Sequence, residues 1–445
     1  MSVIYDNTKL SNELNFRTLQ STRSSPQYRK VFPANGGSQT LVLKPSGTLV
    51  SNTFNIPAEC VNLGESYLEY SYTIAANAGH YTWIYKDVHG EFDSLTYRDS
   101  GSMYVVDVKN LHLYNQITNR FNFSEKDLKY HDDINGLVPT NALLSDVKSV
   151  RFDNSTCSLA FIEPQQMACI SGAAAISSVQ YKKIYLKELL KDSYFGLAKN
   201  QILPVETYLD INFSSGNKVG FSSLSAVLPN STPIVFTADL TISNIVLNLA
   251  VEQNQELVKM MKSEVEKGIS LPIPWIKVHQ STMTAATSFV YNLPLDNKQH
   301  GQKLKRLIFA PLLPTLANQT YDHTNVDGTR VSIYQTELDN MKLQRDLINV
   351  STTKSDDYSY HKKVLKNTLF FNKQIYNQNW FHIDSFDSME SNADHGQIMV
   401  DGLLLNKPMT WTVNVSTCSN SAFQNTAIVI GQKLLQISST SFLVQ

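Results

Sequence analysis

The sequence predicts an all-β chain built as two antiparallel β-sandwiches in tandem, with long inserted loops and a few short helices. Three observations carry this expectation. Short apolar runs alternate with period two and are punctuated by Gly, Pro, Asn and Ser, the pattern of half-buried strands separated by turns. The 445 residues suit two sandwiches of roughly 200 residues each. The end of the first half is echoed at the end of the second, as a duplicated unit requires.

The first strands appear after about Gln39. In ESYLEYSYTI, Leu68, Tyr70, Tyr72 and Ile74 fall on one face and Tyr67, Glu69, Ser71 and Thr73 on the other. SMYVVDVKNLHLY (102–114), YLDINF (208–213) and ADLTISNIVLNLAV (238–251) follow the same β logic. The period changes in EQNQELVKMMKSEVEKG, where Leu257, Met261 and Val265 share a helical face and Gly268 is placed to end the helix in a left-handed cap. KELLKDSY (187–194) is a second, shorter helical stretch. Pro272 and Pro274 in ISLPIPW then block helix continuation, so the boundary between halves falls here. The expected division is an N-terminal arm at 1–38, a first sandwich at 39–252, a connecting helix and linker at 253–275 and a second sandwich at 276–445.

The second half resumes β-type sequence in STMTAATSFVYNLPL (281–295) and KRLIFAPLL (305–313). It closes on a final strand pair, IMVDGLLLNKPMTWTVNVST (398–417) and TAIVIGQKLLQISSTSFLVQ (426–445). TWTVNVST (410–417) lies over YLDINFSS (208–215), which stands in the same place before ADLTISNIVLNL (238–249). Long polar, aromatic-dotted segments at 78–101 and 314–331 read as loops with a task of their own.

Composition excludes several classes of function. Charged residues are 17% of the chain and the formal net charge is −1, which gives no long-range field to draw in nucleic acid. The start, MSVIYDNTKLSNELNF, lacks the basic and apolar regions of a signal peptide. PIVFTADLTISNIVLNLAV (233–251) is broken by Asp239, Asn244 and Asn248, which argues against a membrane span. Cys60, Cys157, Cys169 and Cys418 are too few and too scattered for a disulfide framework and read as buried thiols.

No phosphate loop, dinucleotide fingerprint, HExxH helix or GxSxG elbow occurs. The densest polar cluster, HIDSFDSMESNADH, gathers His382, Asp384, Asp387, Glu390, Asp394 and His395, but its spacing matches no calcium or zinc loop and solvated turn carboxylates explain it. His131, Asp132 and Asp133 precede Asn-Gly and read as turn chemistry. Cys157 and Cys169 lack zinc-ligand neighbours. Several sequons, including those at Asn122, Asn154, Asn212, Asn318 and Asn414, read as chance in an Asn- and Ser-rich chain. YSYHKKVLKN (358–367) reads as a solvated strand edge guarded by Lys. The sequence therefore assigns no catalytic, cofactor or metal residue.

VSIYQTELDNMKLQRDLINV, DDYSYHKKVLKNTLFFNKQIYNQNWFHIDSF (356–386), the DGLLLNKPMTW turn and the closing IGQKLLQIS strand resemble the second half of double jelly-roll major capsid proteins of double-stranded DNA viruses, the adenovirus-like, virophage and polinton-like lineage. The resemblance implies two eight-stranded jelly rolls, a homotrimer of near-hexagonal outline tiling an icosahedral shell, and a place in the virion. It implies no enzyme activity, cofactor or small-molecule substrate. The expected partners are the chain itself, neighbouring capsomers and minor or penton capsid proteins, and contact of the N-terminal arm with an internal membrane or the genome stays open. The alternatives are a two-domain carbohydrate-binding or glycoside-hydrolase-like β-sandwich protein and a minor capsid component. The 21 Tyr and 20 Phe are divided between subunit interfaces and core.

Overall fold

The computed structural model describes residues 25–34, 40–43, 50–74, 81–85, 89–122, 167–171, 178–214, 218–223, 239–312, 331–350, 381–386, 402–418 and 420–444. In the first half, in chain order, these form β1 (Pro26–Val31), β2 (Thr40–Leu43), β3 (Val50–Ile56), β4 (Cys60–Ile74), β5 (Tyr81–Tyr85), β6 (Phe92–Asp99) and β7 (Tyr104–Lys109). Helix α1 (Leu111–Asn122), β8 (Met167–Ser171), β9 (Ser178–Tyr185) and the one-turn helix α2 (Leu186–Leu189) follow. β10 (Gln201–Ile202), β11 (Thr207–Phe213), β12 (Gly220–Ser223) and β13 (Leu240–Glu252) complete the half.

One sheet runs β2-β13-β4-β9, with β1 continuing the line of β2 along β13 and β10 continuing that of β9 along β4. A second sheet runs β3-β11-β6-β7. The strands pack as alternation demands: in β11 Thr207, Leu209, Ile211 and Phe213 are buried, while Tyr208, Asp210 and Asn212 are half-buried on the other face. β13 breaks its alternation at Asn244, whose φ of 55° sits in a bulge between Ser243 and Val246. The bulge re-aims the strand, and IVLNLAV is buried on both sides beyond it. β5, β8 and β12, each from a different connection, join in a separate three-stranded sheet.

Asn254 caps helix α3 (Gln255–Glu266), accepting from the Glu256 and Leu257 amides, and Gly268 with φ 81° closes it as the sequence suggests. Met261 lies on Cys60 and Val265 is buried. The second half then forms β14 (Ile269–Ala286), β15 (Phe289–Leu295), α4 (Asn297–His300), β16 (Lys303–Leu312) and β17 (Val331–Leu338). β18 (Met341–Lys342), β19 (Ile348–Asn349), β20 (His382–Ser385), β21 (Leu403–Leu404), β22 (Met409–Cys418), β23 (Ser421–Ile437) and β24 (Phe442–Val444) follow. One sheet runs β14-β23-β16-β20, extended by β21 and β24; the other runs β15-β22-β17-β18, extended by β19. Strand for strand, this is the order of the first half.

Several expectations need correction. Residues 269–275 are not linker: they are the first part of β14, and Pro272 and Pro274 fit because β14 pairs with β23 on one side only, so two residues of the same parity can lack an amide facing outward. Part of the expected arm, Pro26–Val31, is an edge strand on β13. The 102–114 run is a strand only to Lys109, after which Leu111 opens α1; LHLY alternates by accident, since Leu111, His112, Leu113 and Tyr114 are all buried. The 187–194 helix is shorter and earlier, and a 3₁₀ turn at Tyr194–Leu197 follows it. The 78–101 segment holds β5 and β6, while 314–330 lies outside the described residues. The final two strands, β22 and β23, do not pair but lie in different sheets. Their echo is real in another sense, because β11 and β22 hold the same place in their sheets, as do β13 and β23.

A buried ion pair braces the first sandwich. Lys182 of β9 reaches Glu91 at 2.5 Å, and the Tyr70 hydroxyl of β4 donates to the same carboxylate oxygen. Burial alone would raise the Glu91 carboxyl, but the charges of Lys182 and His89 and the two donors outweigh it and hold it low. Because both partners are withdrawn from water, removing one strands the other. Lys182→Met should cost about 3–5 kcal/mol in denaturant unfolding, and the double change Lys182→Met/Glu91→Leu should regain most of it. Equal losses in the single and double variants would show that the pair does not act as a unit.

Candidate functional site

The polar group that the sequence made most conspicuous is sealed inside the second sandwich. His382 and Asp384 sit on β20, on the face turned toward β17 and β22. His382 Nε2 is 2.9 Å from Asp384 Oδ1, and Nδ1 is 2.8 Å from the Tyr334 hydroxyl. Trp411 Nε1 donates to Asp384 Oδ2 at 2.9 Å, and Gln344 Nε2 donates to Oδ1 at 3.0 Å. Burial pushes the Asp384 carboxyl up, but His382 and the donors from Thr336 and Trp411 more than offset this and keep it low. His382 and Tyr334 are 0% exposed and Asp384 is 1% exposed, so the arrangement ties the two sheets together and offers no substrate a way in. The remaining members of the predicted cluster, Asp387, Glu390, Asp394 and His395, lie outside the described residues.

His131, Asp132, Asp133, Cys157 and the 358–367 stretch also lie outside them; Cys169 is in β8. Of the sequons, Asn212 and Asn414 occupy equivalent strands, β11 and β22, Asn122 ends α1, and Asn154 and Asn318 lie outside the described residues. Cys60 and Cys418 are free and buried, and burial raises the Cys60 thiol to about 12. Among the described residues no group of three or more His, Cys, Asp or Glu could hold a metal ion. No helix among them is long and apolar enough to cross a membrane.

The seam between the halves carries chemistry that sequence reasoning missed. β14 lies beside β7, and Lys277 reaches Asp107 across the seam at 2.9 Å. On the same face of β14, Trp275 donates its indole N–H to the Gln299 carbonyl at 3.0 Å, and Lys433 sits 3.5 Å over its ring while donating to the Lys298 carbonyl at 2.6 Å. Burial lowers Lys433 to about 8, helped by Lys277 and opposed by Asp296 and Asp107. His279 and His300 meet Nε2 to Nε2 at 2.8 Å. His300 Nδ1 lies 3.1 Å from the Asp296 amide nitrogen and 3.3 Å from the Asp296 carbonyl, so the backbone at Asp296 fixes the orientation of the ring toward His279. Only the spacing Trp275-Lys277-His279 on one strand face hinted at this, and its partners Gln299, His300 and Lys433 are remote in sequence.

No family model matches the sequence, and no curated protein matches it. Solved structures do. A capsid chain of the virus PBCV-1 is similar over 95% of this chain and 96% of its own, with a TM-score of 0.55 at 11% identity. A chain of the Sputnik virophage matches over 95% and 89%, with a TM-score of 0.56 at 12% identity. The fold is a double jelly roll. The Faustovirus major capsid protein is similar over 94% of this chain and 91% of its own, with a TM-score of 0.56 at 8% identity. In this double jelly roll the first roll closes with β13 and the second with β23, and the seam cluster lies where the second roll begins.

The His279–His300 pair should make the fold acid-sensitive. Burial lowers His300 to about 4, with His279 adding to the effect, and burial likewise lowers His279. A group whose pKa falls on folding contributes stability above its unfolded value, near 6.5, and loses it as pH drops toward the folded value. Unfolding free energy should therefore fall by on the order of 2 kcal/mol between about pH 6.5 and pH 4 from this pair. Denaturant titrations of the wild type and His300→Gln over that interval check it: the variant should show a flatter dependence, and parallel curves would contradict the assignment.

Proposed function

We propose that the protein is a major capsid protein that self-assembles into homotrimers of pseudo-hexagonal outline and tiles an icosahedral shell of a double-stranded DNA virus. The observation that carries this reading is the end-to-end correspondence of the chain with capsid chains: coverage runs to 94–95% here and 89–96% in the three structures described. Duplication supports it independently. A chain with two rolls of the same strand order, repeated by a threefold axis, presents six similar sides, and closed rotation avoids open-ended filaments.

The role proposed is structural and not enzymatic, within the virion. The buried carboxylates Glu91 and Asp384 are engaged by Lys182 and His382 in separate rolls and do not face each other across a cleft, so this pair does not favour the glycoside-hydrolase reading. The division proposed is a first roll formed from β1 to β13, a connecting helix, and a second roll that starts at Ile269. Minor or penton proteins are the partners proposed beyond the chain itself, with membrane or genome contact assigned to the N-terminal segment.

Purified protein should have a native mass three times its 50.1 kDa chain mass by light scattering. A strictly monomeric species at every concentration and salt would overturn the assembly reading.

A further inference from the structure

The turn between β15 and β16 grips the sheet beside it with three residues in a row. The Lys298 carbonyl accepts from Lys433 of β23 at 2.6 Å, the Gln299 carbonyl accepts from the Trp275 indole at 3.0 Å, and His300 Nε2 meets His279 Nε2 at 2.8 Å. Asp296 keeps the turn in shape by accepting from the Gln299 amide at 2.8 Å. The turn lies hard against β23: a Cβ at Gly431 would fall 1.8 Å from the His300 carbonyl oxygen, so only glycine fits there. Between Trp275 and His279, on the same strand face, stands Lys277, which crosses the seam to Asp107 of the first roll. One face of β14 therefore carries both this grip and a tie between the rolls.

The first two contacts survive acid, because an indole does not titrate there and Lys433 is charged below about 8. The third does not. Two imidazole nitrogens 2.8 Å apart share one proton, so the contact requires at least one neutral ring. A second proton sets two N–H donors and two positive charges against each other. His300 is 0% exposed and cannot be hydrated in place, so that charge is accommodated only if the turn moves. The surroundings add to the push. Lys277, Lys433 and both imidazoliums would stand against the carboxylates of Asp296 and Asp107. The Lys298 side chain is exposed to water, and β15 carries no charge. β16 sets Leu304 in the row of Gly431 and Trp275, with Lys303 and Arg306 in rows of the opposite face and Lys305 in the bulge between.

We propose that this turn is an acid-released clasp: when both histidines are protonated it lifts from β14 and β23, and the seam between the rolls loosens while each roll stays folded. The release is local because the backbone ladders of β14 with β23 and of β15 with β22 do not titrate. Packing favours the neutral form of each histidine, so the clasp holds above the ordinary value near 6.5 and is given up as pH falls toward about 4. The device lies within one chain and does not depend on the assembly reading.

Hydrogen exchange of the full-length protein at about pH 7.5 and about pH 4.5, corrected for the intrinsic pH dependence of exchange, tests it. Peptides covering 296–302 should lose protection ~10-fold or more in acid, while those of β11 and β22 stay protected. A turn that keeps its protection, or loses it in step with β11 and β22, overturns the inference. Zero-length carbodiimide crosslinking reads the seam: the yield of the Lys277–Asp107 link relative to Lys218–Asp93, a pair inside the first roll, should fall ~5-fold or more, and an unchanged ratio overturns the inference. In His279→Gln/His300→Gln, whose amides bond without titrating, exchange of the turn should not depend on pH; a wild-type-like acid loss there contradicts the assignment. If that variant fails to seat the turn at neutral pH, Asp296→Asn decides. It keeps a capping oxygen and removes a carboxylate that favours charged His300, so release should move to lower pH, and an unmoved or higher midpoint overturns the inference.

Discussion

Each roll depends on the placement of its last strand. β13 inserts between the β1–β2 line and β4, and β23 inserts between β14 and β16. Pro26 pairs with Glu252 and Ile269 with Ile437, so the first strand of each roll has no partner until almost the whole roll has been threaded. Loop-closure entropy opposes such non-local pairing until burial of the closing strand offsets it. The closing strands suit that role, since Ile245–Val251 and Asn425–Lys433 are buried without a break. Glu252, at the end of β13, fastens the closure by accepting from the Ser25 and Asn254 amides and the Asn200 side chain at 2.7–2.9 Å.

Local pattern was legible wherever one sheet face is buried and the other is not. Period two located β4, β11 and β22, and a change of period located α3 with its Gly268 cap. It failed where burial surrounds an element, as in α1, whose opening residues are apolar or buried polar on all sides. It failed again where the edge of a sheet excuses a proline, as in β14. The polar clusters were hidden for a different reason. Asp384 meets Trp411, 27 residues on, and Lys182 meets Glu91, 91 residues away, and only the strand order brings them together. The composition of HIDSFDSMESNADH advertised solvated carboxylates or a metal, whereas its first aspartate, Asp384, is a buried tie between two sheets.

Aromatic content divides less evenly than an assembly protein's composition suggests. Tyr70, Tyr97, Tyr114, Tyr194, Tyr334, Phe54, Phe92 and Phe195 are among the largest fully buried side chains, so most of the described aromatic mass holds the rolls together. The few exposed aromatics, Tyr28, Phe32 and Tyr104, stand on or beside edge strands. The exposed aromatics among the described residues are thus a separate set from those that hold the rolls together, and substitutions at them leave the core packing intact.

Duplication with reuse of equivalent sides is the claim from which the rest follows. Electron micrographs of the purified protein, averaged down the axis of symmetry, test it most directly: the account predicts six similar lobes arranged about a threefold. Isolated two-lobed particles, or a ring with an odd number of lobes, would contradict it.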